Sequence, residues 1–291
     1  MSRRISHIQG FTLIELSIVL VIIGLIVGGV LVGQDLIKAA QIRAQISQIE
    51  KFNTAVNTFY GKYGALPGDI QPALVTQFGF TASPNRSGTV GDGDGNGELD
   101  GGNGSGGVYA WGQEGETLYF WEDLSANSNL IEGTFNSAGG PGGIGDGCAT
   151  SAGCSTDYPP AKIGNGAFVY VYSGYAANCC SPPYTGFGPN FFGLSVVTTT
   201  GNVGTSAPAL TVAQAYAIDK KIDDGLPTTG SVLAQYPATT RFDAPDWSIN
   251  GASAGATTCY DTSSGTAAYS IGYKNGSLVN CGISFKIQGG D

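Results

Sequence analysis

Gly10-Phe11-Thr12-Leu13-Ile14-Glu15-Leu16-Ser17-Ile18-Val19-Leu20 opens an apolar-dominated run over residues 11–32, and one carboxylate, Glu15, stands inside it. The run is 22 residues long, and about 20 apolar residues suffice to cross the hydrocarbon of a bilayer. A charge at that depth costs a few kcal/mol even on lenient scales, so an intramembrane acid marks a functional site by default. Arg3 and Arg4 precede the run; basic residues there hold the short amino-terminal tail in the cytoplasm and direct the rest outward. An ordinary secretory signal has a shorter apolar core and a small-residue cleavage site after it. Here Val32-Gly33-Gln34-Asp35 follows instead. A plain anchor fits the length but leaves Glu15 unexplained.

The pattern beyond the run changes without a break. Ile42, Ile46, Ile49, Phe52, Val56, Phe59 and Tyr63 recur every three or four residues, with Gln41, Arg43, Gln45, Gln48, Glu50, Asn53 and Asn57 between them. This spacing predicts an amphipathic helix whose stripe a globular body must cover, with the polar set on the opposite side. Joined to the apolar part, it gives one helix over 11–63, ended by Gly61, Gly64 and Pro67. The remainder is glycine-rich: the chain has 47 glycines, about 16% against an average near 7%. Apolar or alternating runs predict strands over 167–173, 191–197, 268–273 and 278–287. Helices are predicted near 118–130, with Trp121, Leu124 and Ile131 facing inward, and near 211–223, stopped by Gly225 and Pro227. A helix followed by a mainly antiparallel sheet makes the fold class α+β.

Composition excludes much chemistry. The only histidine and the only methionine are His7 and Met1, so residues 11–291 cannot run Ser-His-Asp or Cys-His catalysis, nor hold an HExxH zinc. Carboxylates alone are left for enzymology, and 22 acids in 291 residues supply chance pairs in any case; no enzyme is expected. Beyond residue 10 the chain carries 11 basic against 22 acidic residues, a balance that disfavours nucleic acid, whose affinity rests on cationic contacts.

The segment around Gly10 resembles the cleavage and methylation site of type IV prepilins and type II secretion pseudopilins. The resemblance implies a leader over 1–10, cut between Gly10 and Phe11 by prepilin peptidase, and methylation of the new terminus by an N-methyltransferase. It implies that Glu15 neutralises the Phe11 amine of a neighbouring subunit, as the assembly residue of a filament. The partners are then other pilin or pseudopilin subunits and inner-membrane lipid. The head, residues 64–291, lies outside the cytoplasm. Many relatives bend this helix with a proline at the position of Val32; here stand Gly24, Gly28, Gly29 and Gly33, which permit local melting on assembly or close helix approach, the other reading being that glycine is common in membrane helices. The large head points to a specialised subunit, and the alternative is an adhesin or binding module on a pilin-like anchor.

Within the head, Asp92, Asp94 and Asn96 match the first, third and fifth ligands of an EF-hand loop, and Gly97 matches its turn. Asp100 falls at the ninth position and Asn103 stands where a bidentate glutamate is needed, so that Glu98 or a distant acid would complete the shell. An oxygen-only set suits Ca²⁺, while an Asp/Gly turn that binds nothing is the other reading. Relatives that hold calcium do so near the carboxyl terminus, so no ligand transfers. Asp219, Asp223 and Asp224 cluster where a helix end disfavours acids, which hints at a cation or a partner lysine, Lys220 and Lys221 being beside them, with a solvated helix end as the other reading. The six cysteines read as disulfides in an oxidising compartment. A Cys259–Cys281 bridge would resemble the carboxyl-terminal loop of type IV pilins. For Cys148, Cys154, Cys179 and Cys180 the pairing stays open, cross-links between the two pairs being favoured because adjacent cysteines bridge only with strain.

Overall fold

The computed structural model describes residues 12–82, 86–89, 91–99, 101–102, 108–109, 115–135, 156–173, 189–197, 207–237, 248–249 and 254–289. Its first element is one continuous helix, α1 (Leu13–Tyr63), about 77 Å long at 1.5 Å per residue. No break occurs at Gly24, Gly28, Gly29 or Gly33. The apolar half is exposed along its length, and burial begins at Ile42. Gly64 ends the helix in the left-handed conformation, donating its N–H to the Tyr60 carbonyl, as glycine does at helix ends.

The sequence places Gln45 and Gln48 on the polar side of α1, and the structure corrects this. Both are buried. The Gln45 side-chain oxygen accepts from the Ile163 N–H at 3.0 Å, while Gln48 accepts from Lys162 N–H and donates to the Pro160 carbonyl, each at 3.0 Å. Two amides one turn apart thus satisfy backbone groups of the loop over 160–163, although the Gln45 side-chain nitrogen is itself buried without a partner among the described residues, which carries a desolvation cost.

Next come α2 (Pro72–Phe78), the short hairpin β1 (Gly101–Gly102) with β2 (Val108–Tyr109), and α3 (Glu116–Glu122), which runs into a π-helical turn, Asp123–Asn127. The sheet contains β3 (Phe168–Ser173), β4 (Asn190–Ser195), β5 (Leu210–Thr211), β6 (Val232–Pro237), β7 (Ser248–Ile249) and β10 (Val279–Lys286). Their order is β3-β4-β10-β6-β7, with β5 paired to the start of β10. Every pairing is antiparallel except β6 with β7. β10 is central, setting Ile283 between Leu194 of β4 and Ala234 of β6. α4 (Val212–Ile222) starts from a capping box of Thr211 and Gln214. The core forms where Phe52 of α1 meets Trp121 at 4.9 Å and Phe192 at 6.0 Å between ring centroids.

Two strand expectations change. The run over 268–273 supplies only β9 (Ala268–Tyr269), paired with β8 (Tyr260–Asp261), before the chain turns through Tyr273–Gly276. Local bonds from the Ile271 N–H to the Tyr269 carbonyl and from the Tyr273 N–H to the Ser270 carbonyl turn the chain inside the expected run, and the left-handed Lys274, Asn275 and Gly276 follow it. β6 was not expected; its six residues end at Pro237, and a proline demotes a run to an edge by sequence rules.

Candidate functional site: the head of the long helix and the acidic loop

The start of α1 is closed by a reciprocal pair. Thr12 is the N-cap, and its hydroxyl oxygen accepts from the Glu15 N–H at 3.3 Å. The Glu15 carboxylate in turn accepts from the Thr12 N–H and hydroxyl, both at 2.8 Å. This capping box satisfies two otherwise orphaned donors and sets an acid in the first turn, where the helix dipole favours it. Around it Leu13, Ile14 and Leu16 are 87%, 69% and 59% exposed. Glu15 is therefore the one acid on an apolar surface that the subunit itself leaves uncovered as far as residue 32.

The acidic loop, residues 91–99, is built around two carboxylates that the sequence motif does not contain. Asp69 accepts from the N–H groups of Gly95 and Gly97 at 2.6 and 2.7 Å. Glu116, at the start of α3, accepts from the Gly93 N–H at 2.8 Å. The loop can wrap them because Gly93, Gly95 and Gly97 all have positive φ. At Gly93 a Cβ would also lie 2.6 Å from the Ile70 carbonyl oxygen. Carboxylate oxygens of Asp69, Asp94 and Glu116 lie within 4.8 Å of one another. Burial, with the neighbouring Asp94 charge adding to it, pushes Asp69 up to about 7, against the pull of its two N–H donors.

The motif residues themselves are dispersed. Asp94 accepts from the backbone and side-chain nitrogens of Asn96, and Asn96 accepts from the Glu98 N–H. Asp92 turns to the Ser87 N–H at 2.7 Å. Asp92 and Glu98 do not join the Asp69–Asp94–Glu116 group among the described residues, and Asp100 lies outside them. The three grouped carboxylates make an oxygen-only donor set of the kind hard cations take. Among the described motif carboxylates, Asp92, Asp94 and Glu98, only Asp94 belongs to it. No local signal marks Asp69 or Glu116, since each is brought in by tertiary folding.

Residues 5–31 match the prokaryotic N-terminal methylation motif. The amino-terminal segment is therefore similar to that of type IV prepilin-like proteins. No curated protein and no solved structure matches the chain. Within the matched segment, Gly10 and Phe11 lie outside the described residues, whereas Glu15 and the start of α1 are within them. α1 is long and apolar enough to cross a membrane, consistent with membrane anchoring.

Asp219, Asp223 and Asp224 form a second group of carboxylates with oxygens within 4.8 Å of one another, and each also holds donors of the head itself. Asp219 is buried and accepts from the Gly225 N–H at 3.1 Å and the Tyr269 hydroxyl at 2.8 Å. Burial raises it to about 6, with Asp224 and Asp223 adding to the rise. Asp223 accepts from Ser231 and Val232 N–H groups, and Asp224 from Leu226 N–H and the Thr229 hydroxyl. Lys220 bonds the Tyr216 hydroxyl instead of these acids, so the lysine pairing considered from sequence does not form among the described residues. A buried ion pair went unread in the sequence: Asp123 binds both terminal nitrogens of Arg86 at 2.6 and 3.0 Å, and also accepts from Gly68 N–H and the Asn127 amide. It ties the 64–89 excursion to the π-helical turn. Cys259 and Cys281 form a disulfide joining the β8 approach to β10. Cys148, Cys154, Cys179 and Cys180 lie outside the described residues.

Proposed function

We propose that this chain is a structural subunit of a type IV pilus or type II secretion pseudopilus, built into the filament through α1. Prepilin peptidase cuts between Gly10 and Phe11, the Phe11 amine is methylated, and the head stays on the outer side of the inner membrane before assembly. The observation that carries this reading is Glu15. It lies inside the matched motif, on a helix whose surrounding apolar surface the subunit leaves exposed. Packing copies side by side covers that surface, and the Phe11 amine of the next copy compensates the acid as it loses water. The uncovered helix and the covered head divide α1 into an assembly half and a folding half.

The test is Glu15→Gln. Glutamine retains the side-chain oxygen that a capping box needs but removes the charge. The expected result is a processed, membrane-held subunit with sheared filaments lost. Filaments at the normal level would refute the assembly role, leaving an anchored extracytoplasmic domain.

A further inference from the structure

Between the apolar span and the head, α1 has a section that no described residue of the subunit covers. Leu36 and Ile37 are 67% and 61% exposed, and the first buried residue of the head contact is Ile42. The two apolar residues are bracketed by Asp35 and Lys38, both exposed. These charges sit three residues apart on one helix, a spacing that permits an internal pair. They form none: among the described residues the ion pair of the subunit is Arg86 with Asp123.

We infer that Asp35 of one copy pairs with Lys38 of an adjacent copy, closing a contact in which Leu36 and Ile37 are the apolar filling. The inference rests on the filament reading above and adds a second charged contact to it. Covering Leu36 and Ile37 with a neighbouring helix also removes water from Asp35, and a desolvated, unpaired carboxylate is costly. A cation must then come from close by. Between residues 11 and 37 the chain has no lysine or arginine, so Lys38 is the nearest, and in parallel helices an axial offset of about 4.5 Å brings it level with the neighbour's Asp35. Asp35 lies about 200° around the helix from Glu15 at 100° per residue. The two contacts therefore face different neighbours, which is what a filament with several contacts per subunit uses to hold its lateral order.

Co-expression separates a contact between copies from one within a helix. Asp35→Lys alone and Lys38→Asp alone each place like charges at both positions of every chain. Mixed, the two variants set a pair of bases in one copy against a pair of acids in the next, while every chain still repels internally. Each variant alone should lower sheared-filament yield about ten-fold or more, with membrane precursor unchanged, and the mixture should return it to within about three-fold of normal. Normal filaments from either variant alone, or a mixture no better than its parts, would overturn the contact. If Glu15→Gln blocks filaments while Asp35→Lys does not, this contact falls and the filament reading stands. If the unaltered chain makes no filaments, both fall.

Discussion

Asp69 offers the sharpest test of how the acidic loop is held together. Its carboxyl is 1% exposed, and its folded value of about 7 stands against an ordinary 3.8. A raised carboxyl means that the native state holds its proton more tightly than the unfolded chain does. Below about pH 4 both states are protonated and the group costs nothing. As pH rises, the unfolded chain ionises first and native stability declines until about pH 7, after which it levels. Three units at about 1.4 kcal/mol each make the loss on the order of 4 kcal/mol. Asp69→Asn abolishes the titration, though it weakens the bonds to Gly95 and Gly97, worth about 1 kcal/mol each. The variant should therefore be less stable than the parent at pH 4.5 and more stable at pH 8, with the curves crossing between. The assay is urea unfolding of the detergent-held full chain in EDTA at half-unit pH steps. Parallel curves, or a parent that gains stability from pH 4.5 to 7, would refute the reasoning. The same series in calcium examines the cluster as a cation site: a bound divalent ion would keep Asp69 ionised, abolish the decline, and make the parent the more stable protein at pH 8.

Asp123→Ala should cost about 3–5 kcal/mol in urea unfolding, because it strands a buried guanidinium; a loss under 1 kcal/mol would show that Arg86 finds water instead. Replacing Cys259 and Cys281 together by serine frees a loop of 22 residues, and should cost about 3 kcal/mol in the chain-entropy account, read as a lower melting temperature in non-reducing buffer.

The long helix was legible because its two halves each have a strong local signature: composition for the span, 3.6-residue periodicity for the head contact. Strands β3, β4 and β10 were legible for a similar reason, since each lies in an apolar or alternating run of six or more residues. What escaped was non-local. Gln45 and Gln48 read as solvent-facing because polarity is the only local clue, yet the loop over 160–163 requires their amides. Asp69 lies 26 residues before Gly95, to which it binds, and no spacing rule connects the two. The loop motif itself misdirected: alternating Asp and Gly suggested side chains converging on a cation, whereas the glycines' positive φ turns backbone N–H groups toward Asp69 and Glu116. Glycine's freedom serves an anion-holding turn as readily as a cation loop.

The capping box at the start of α1 changes what an acid in this position means. From composition alone Glu15 is a charge stranded in lipid, but in the folded subunit it already receives two donors from Thr12. Its roles before and after assembly are separable, because the cap needs a side-chain oxygen and the filament contact needs a charge. Glu15→Gln keeps the first and loses the second, while Thr12→Ala loses the cap and keeps the charge. If the charge governs assembly, Thr12→Ala should cost the helix about 1 kcal/mol and still yield filaments, and Glu15→Gln should yield none. The reverse pattern would make helix initiation at residue 12, and not compensation of the neighbour's amine, the reason that this chain tolerates an acid there.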